Sequence, residues 1–187
     1  MRLIIVRHGE TEENKAHILQ GHLPGKLSEL GQEQAKKVAL RLKEEKIDVI
    51  YSSDLARAAD TAKEIAKFHS KAKLHLTEKL RERNLDDFTG KEWEKVGWTN
   101  PPPNVESKEN MRKRIKELID EVYSKYSDKT VLFVGHGGIN KSLILLIRGQ
   151  DIDHQFENQG NTAINIFEIS EDYQHKIHCL NCTKHLD

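Results

Sequence analysis

The sequence predicts a three-layer α/β/α sandwich built on a mostly parallel central sheet, and three observations predict it. Short apolar runs rich in branched residues end at polar, glycine-bearing segments. Amphipathic stripes of helical period follow them. The two kinds of segment alternate along the chain. A length of 187 residues suits one domain with its own core.

Taken in order, Leu3-Ile4-Ile5-Val6 runs into Arg7-His8-Gly9 and reads as a strand buried on both faces, as in a parallel sheet. Ala35, Val38, Ala39 and Leu42 share one face of a helix, with lysines and glutamates opposite. A second strand, Ile47-Asp48-Val49-Ile50-Tyr51, ends at Ser52-Ser53-Asp54, and Ala59, Ala62, Ile65 and Ala66 form the next stripe. The segment 77–106 is the least regular, includes Pro101-Pro102-Pro103, and reads as a loop-rich insertion, the usual place for substrate-selecting parts. Ile115, Leu118, Ile119, Val122 and Tyr126 make the clearest helical stripe. Val131-Leu132-Phe133-Val134 is a third strand, ending at Gly135-His136-Gly137-Gly138. Ile139, Leu143 and Leu146 give a fourth helix, with Gly149 placed to cap its C-terminus. Two more strands, Ala163–Ile169 and His175–Leu180, flank a polar turn at Ser170–Asp172. There is no internal repeat and no low-complexity tract.

Composition narrows the function classes. The chain is 36% hydrophobic and 32% charged, as expected of a water-soluble globular protein. Thirty basic residues balance thirty acidic ones, so no net field favours nucleic acid or an anionic membrane, and any bound anion needs locally placed cations. No secretory signal or membrane span is visible, and two cysteines make no disulfide framework, so a cytoplasmic location is expected. Oligomeric state is left open, with a homodimer as one option.

In open α/β sheets the ligand crevice lies beyond the carboxyl ends of the strands. The first strand delivers Arg7-His8-Gly9 there. The second delivers Ser52-Ser53 and, in the first turn of the next helix, Arg57. The third delivers Gly135-His136-Gly137-Gly138 at another helix start. Guanidinium forks, imidazoles and free helix-terminal amides are groups that bind phosphate. Singly, each has a plainer reading: Arg7 as a solvated strand end, His136 as a turn histidine, Arg57 as a surface residue. Their coincidence at three equivalent strand-to-helix transitions points to an anion site.

These residues also carry a resemblance. Arg7-His8-Gly9-Glu10-Thr11 followed by Asn14 resembles the signature of the histidine phosphatase superfamily, which includes the cofactor-dependent phosphoglycerate mutases. Gln20-Gly21 with Leu27-Ser28-Glu29-Leu30-Gly31 resembles its second block, and Ser53-Asp54-Leu55-Ala56-Arg57-Ala58 with Thr61-Ala62 its third. Leu80-Arg81-Glu82-Arg83-Asn84, then Phe88 and Gly90, resembles the segment supplying the acidic residue, and Val134 to Gly138 the one with the second histidine. The likeness spans nearly the whole chain and implies a phosphoglycerate mutase-like fold. It implies that His8, neutral and with its tautomer fixed by a backbone carbonyl, attacks phosphorus. Arg7, Arg57 and His136 would surround the phosphoryl oxygens, with Asn14, Gln20, Gly21 and the amides near Gly137 as further ligands. Glu82 would protonate the departing oxygen and then deprotonate water, which calls for a raised pKa supplied by burial. Without the family pattern Glu82 is one glutamate among several, with Glu78 and Glu92 close by. No metal or other cofactor is implied, because the arginines supply the positive charge.

Two departures stand out. Pro24-Gly25-Lys26 replaces a stretch where an aspartate and then a proline are common, which makes the rim more cationic without touching the expected phosphate ligands. Asp86 stands where a glycine is usual, so its loop is expected to differ from its relatives. His175, His178, Cys179, Cys182 and His185 invite a zinc reading, but only one Cys-x-x-Cys pair exists and the stretch alternates like a final strand, so no metal site is expected. Gly160-Asn161-Thr162 reads as a turn that could lend a polar group to the crevice. Trp93 and Trp98 fit either an apolar lid or a small satellite core.

The reaction expected is hydrolysis of a small phosphorylated metabolite, a phosphomonoester, through phosphohistidine. The alternative is a cofactor-dependent phosphoglycerate mutase. Mutases of the family usually carry extra sequence between the acidic segment and the second histidine, whereas the interval from Glu82 to His136 is short here and brings no added basic segment. A non-catalytic phosphate-binding module is a remoter third reading, at odds with the presence of His8, Glu82 and His136.

Overall fold

Strand β1 (Arg2–Arg7) sends alternate side chains to opposite sides, as the two-residue period of a strand requires. Leu3 and Ile5 enter one core, and Ile4 and Val6 another, all four at 0% exposure. This is why the run is apolar throughout rather than alternating. The computed structural model describes residues 1–155 and 157–187.

After β1 come α1 (Glu12–Lys15), α2 (Glu29–Leu42), β2 (Val49–Ser53), α3 (Ala56–Ala66) and β3 (Lys73–Thr77). Three single-turn 3-10 helices follow between residues 78 and 95, then α4 (Lys108–Tyr126), β4 (Thr130–Gly135), α5 (Gly137–Ile147), β5 (Ile164–Ile169) and β6 (His175–Cys182). Ser28 and Ser107 cap α2 and α4 by accepting the amides of Gly31 and Asn110. Gly149 stops α5 at φ +62°, a left-handed conformation glycine adopts without steric cost.

The six strands form one sheet in the order β3-β2-β4-β1-β5-β6. β3, β2, β4 and β1 run parallel; β5 is antiparallel to β1 and β6 to β5. Helices α4 and α5 cover one face through Ile115, Leu118, Ile119, Ile139 and Leu143. Helices α2 and α3 cover the other through Val38, Leu42, Ala58, Ala62 and Ile65. The architecture is a three-layer α/β/α sandwich, and each fully buried leucine or isoleucine contributes roughly 1.5–3 kcal/mol to holding it. Among the described residues no helix is long and apolar enough to cross a membrane.

Three features depart from expectation, the first being β2, which spans Val49–Ser53 rather than 47–51. The last strand runs on to Cys182 rather than stopping at Leu180. β3 was not anticipated, because as an edge strand it is only partly covered and mixes polar with apolar residues.

The topology positions the site. The parallel strands all end at one edge, and β5, running the other way, begins there. Residues after β1, β2 and β4 and those before β5 are therefore gathered together.

Candidate functional site

His8 follows β1 directly and is 3% exposed. Its amide donates to Gly135 O at 3.0 Å, and its carbonyl accepts from the Thr162 amide at 3.3 Å and Asn161 Nδ2 at 3.2 Å. The ring Nδ1 lies 2.6 Å from Gly9 O. A carbonyl can only accept, so Nδ1 carries the hydrogen and Nε2 presents a bare lone pair. Burial, and then the charges of Arg7 and Arg57, hold the His8 pKa well below the ordinary 6.5.

His136 caps α5 and is fully buried. Arg57 Nε donates to its Nδ1 at 3.1 Å, which puts the hydrogen on Nε2. That Nε2 has no partner among the described residues. Burial first, then Arg57 and the other nearby groups, keep this pKa well below 6.5 as well. The two imidazole centroids are 5.0 Å apart with the rings inclined at 60°.

Arg7 Nη1 donates to Gln159 O at 2.5 Å, while its Nε is buried and unpartnered. Burial lowers the Arg7 pKa, opposed by the charge of Glu82. Arg57 is 1% exposed and surrounded by acceptors: Gly21 O at 2.9 Å, Leu23 O at 2.5 Å and Pro24 O at 3.4 Å, besides His136. Its pKa is pulled down to about 10, chiefly by burial. The Pro24-Gly25 departure thus does reach an expected phosphate ligand, contrary to the sequence reading. A Cβ on Gly25, at φ +63°, would stand 3.0 Å from Arg57 Cδ and 2.6 Å from Gln20 Oε1.

An unpartnered donor in a dry site costs about 1–3 kcal/mol. Arg7 Nε and His136 Nε2 both remain so beside the free His8 Nε2. Such a group of atoms can hold a tetrahedral anion against a neutral nitrogen nucleophile.

The other expected residues gather here too. Asn14 closes a capping box with Thr11, its Oδ1 accepting from the Thr11 amide and from Asn161 Nδ2, both at 3.3 Å. This ties it to the residue that binds His8 O. Gln20 is buried with Oε1 unpartnered, and Gly21, at φ +48°, gives its carbonyl to Arg57. Gly137 begins α5, where a Cβ would stand 3.6 Å from Arg7 Nε.

Glu82 sits across the start of α5. Its carboxylate accepts the Gly138 amide at 2.9 Å, the Ile139 amide at 3.1 Å and the Arg83 amide at 2.9 Å. The first amides of a helix have no intrahelical acceptor, and here the carboxyl oxygens take them. Two expectations are corrected. Glu82 is partly exposed, not deeply buried. It also occupies helix-terminal amides expected to serve phosphate, leaving the Gly137 amide as the one without a protein acceptor among the described residues. The neighbouring carboxylates go elsewhere: Glu78 to Arg81 at 3.1 Å, and Glu92 to Lys95 at 2.6 Å.

Sequence reasoning missed several contributors. Thr61 Oγ1 accepts the Gly9 amide at 3.1 Å, and Gln159 receives Arg7. His22 and Arg114 both reach the Glu82 carbonyl. Asn161, by contrast, lends the polar group that its turn reading allowed, its Nδ2 joining His8 O to Asn14 Oδ1. Asp86 adopts φ +38°, so its loop takes the left-handed conformation a glycine would supply, helped by Asn84 Oδ1 accepting its amide at 3.1 Å.

The C-terminal His/Cys group separates except for Cys179 and Cys182, which remain neighbours. His178 meets Glu168 at 3.0 Å, Cys179 Sγ meets Ile164 O at 3.4 Å, and His185 meets Thr162 Oγ1 at 3.1 Å. Among the described residues no three histidine, cysteine or acidic side chains are grouped to hold a metal. Trp98 packs against a satellite core of Leu85, Phe88 and Val105, with Trp93 resting 53% exposed against it.

Comparison with known proteins agrees with this geometry. A sequence profile of the histidine phosphatase superfamily (branch 1) matches residues 3–183. The chain is 31% identical to phosphoglycerate mutase-like protein 4 of Arabidopsis thaliana, over 99% of this chain and 86% of that protein. It is 31% identical to putative phosphoserine phosphatase 2 of Hydrogenobacter thermophilus, over 88% and 89% of the two chains. Among solved structures, a phosphoserine phosphatase of Entamoeba histolytica in complex with 3-phosphoglyceric acid superposes with a TM-score of 0.87 at 30% identity, over 99% and 98% of the two chains. The chain belongs to the histidine phosphatase superfamily.

Proposed function

We propose that the chain is a metal-independent phosphatase that hydrolyses small phosphomonoesters through a covalent phosphohistidine on His8, acting as one domain over residues 1–187. The observation that carries this reading is the pair of buried, unpartnered donors, Arg7 Nε and His136 Nε2, beside an imidazole fixed with its Nε2 lone pair free.

The chemistry follows from the roles. His8 Nε2 attacks phosphorus and the ester P–O bond breaks, while the Glu82 carboxyl gives its proton to the departing oxygen. Arg7, Arg57 and His136 meet the charge on the phosphoryl oxygens, with Asn14 Nδ2 and the Gly137 amide as further donors. Gln20 and Gly21 act through Arg57, whose side chain they border. Water then attacks phosphorus, the P–N bond breaks, Glu82 takes the proton, and inorganic phosphate leaves. Passing the phosphoryl group to a different hydroxyl of the substrate, rather than to water, would make a mutase. The partial exposure of Glu82 favours water. Relatives named as phosphoserine phosphatases support a small phosphorylated metabolite as substrate, and we place the protein in the cytoplasm.

The test is to trap a ³²P adduct with a labelled aryl phosphate. An acid-labile, base-stable phosphoenzyme in the wild type, absent in His8→Ala, is expected. A turnover number unchanged by His8→Ala would end the assignment. Conversion of 3-phosphoglycerate to its isomer faster than release of phosphate would favour the mutase.

A further inference from the structure

The backbone carrying Glu82 belongs to neither helix nor strand. It lies between 3-10 turns at Glu78–Leu80 and Asp86–Phe88, so its carbonyls need partners outside regular structure. Two of them, together with the Lys79 carbonyl of the preceding turn, converge on one side chain. Arg114, reaching over from α4, donates Nη1 to Lys79 O at 2.8 Å and Arg81 O at 2.9 Å, and Nη2 to Glu82 O at 3.1 Å. Its remaining N–H groups meet Glu106, Nε to Oε1 at 2.7 Å and Nη2 to Oε2 at 3.0 Å. A guanidinium has five N–H donors in a rigid fork, and all five are engaged.

Glu106 extends the clamp. Its Oε2 accepts the Asn84 amide at 3.0 Å, its amide donates to Asn84 O at 2.9 Å, and its carbonyl accepts Arg83 Nε at 2.5 Å. His22 Nε2 donates to Glu82 O at 2.9 Å, a second donor on that oxygen. The residues on both sides of Glu82 are thereby fixed while its side chain projects to the amides of Gly138 and Ile139.

We propose that Arg114, held by Glu106 and assisted by His22, is a positioning residue that sets the Glu82 carboxyl against the start of α5, where it meets the leaving oxygen. The inference rests on the reading of Glu82 as general acid. Arg114 touches no reacting atom in this scheme; it acts through the Glu82 backbone. Placement matters because a general acid works only within hydrogen-bond reach, and a misplacement near 1 Å costs on the order of 100-fold. Lysine cannot reproduce the clamp, having three donors on a flexible stem. A cavity of about 420 Å³ borders His22, Glu106 and Arg114, so Arg114→Lys and Glu106→Gln fit without overpacking.

The experiment compares kcat/KM on two substrates, glycerol 2-phosphate, whose alkoxide leaves only with a proton, and 4-nitrophenyl phosphate, whose phenolate leaves readily unaided. The ratio of the two does not depend on how much enzyme is folded. Arg114→Lys and Glu106→Gln are expected to lower the alkyl value roughly 100-fold and the aryl value less than about 5-fold. Glu82→Gln should shift the ratio the same way, with an alkyl loss on the order of 10²–10⁴-fold. Adding Arg114→Lys to Glu82→Gln should shift it no further. Equal losses on both substrates in Arg114→Lys, or an additive shift in the double variant, would overturn the positioning role while Glu82 remains the acid. An unshifted ratio in Glu82→Gln would overturn the acid assignment and this inference with it.

Discussion

Consider Arg57→Met, which keeps the bulk of the side chain and deletes its head. The guanidinium serves four acceptors, of which the Leu23 and Pro24 carbonyls belong to exposed residues where water can take over. His136 Nδ1 and Gly21 O are buried, and orphaning them costs about 1–3 kcal/mol each. Against this stands the burial of the cation itself, which pulls its pKa down from the ordinary arginine range to about 10. At about 1.4 kcal/mol for each tenfold in proton affinity, that burial disfavours the charged group by about 3 kcal/mol. Set against each other, about 2–6 kcal/mol lost and about 3 kcal/mol relieved, these leave folding stability between about 1 kcal/mol above and about 3 kcal/mol below wild type. Activity does not share in this offset. In the proposed mechanism the variant loses a charge that meets the phosphoryl oxygens, and it also loses the donor that fixes the His136 tautomer, so kcat is expected to fall by about 10²–10³, as for removal of a preorganised oxyanion donor. Urea unfolding and kcat/KM on an aryl phosphate, measured on one preparation, separate the two effects. A loss of activity under tenfold, or a stability drop above about 4 kcal/mol, would refute the reasoning.

Further outcomes follow from the same geometry. His8 and His136 have folded pKa values depressed below 6.5, so the unfolded chain binds protons there that the native state refuses. Their contribution to stability is present above pH 6.5 and lost on acidification, at up to about 2.7 kcal/mol per pH unit for two protons. Urea midpoints at pH 7 and pH 5 should show it, and His8→Asn should remove about half of that slope; an unchanged slope contradicts the assignment. Gly25→Ala puts a Cβ against Arg57 and Gln20 at φ +63° and is expected to cost about 1–2 kcal/mol and at least tenfold in kcat/KM. A wild-type rate would mean that Arg57 is not held from that side. Gly138→Ala places a Cβ 2.5 Å from Glu82 Oε1 and should slow alkyl esters roughly tenfold or more while sparing aryl esters. Equal slowing of both would show that the carboxyl does not sit there during the reaction.

The central architecture was legible because both faces of the inner strands are buried. Leu3 to Val6 and Val131 to Val134 have no polar position to confuse the reading, and the stripes of α2, α3 and α4 match their buried residues. β3 was not legible: Lys73–Thr77 lies at the edge, leaves Leu76 52% exposed, and is steadied by His75 stacking on Tyr51 at 4.9 Å, a contact invisible to periodicity. The same contrast divides the site. Arg7, Arg57 and His136 sit at strand-to-helix transitions, where local sequence predicts location. Arg114 lies on the polar face of an amphipathic helix, and His22 in a loop, so each looks like a solvated residue until the chain folds. Glu82 belongs with them, since its place depends on a backbone segment that owns no regular hydrogen bonds.

The sheet order has a consequence for synthesis. β1 is an inner strand whose two neighbours, β4 and β5, lie more than a hundred residues downstream. An apolar ribbon therefore emerges from the ribosome long before anything exists to flank it, and loop closure over such separations makes the pairing late and slow. Meanwhile β2, α3 and β3 can assemble locally. The protein should depend on rapid elongation or on chaperones that shield Leu3 to Val6, and a stalled nascent chain cut off before residue 130 should be the species most prone to aggregate.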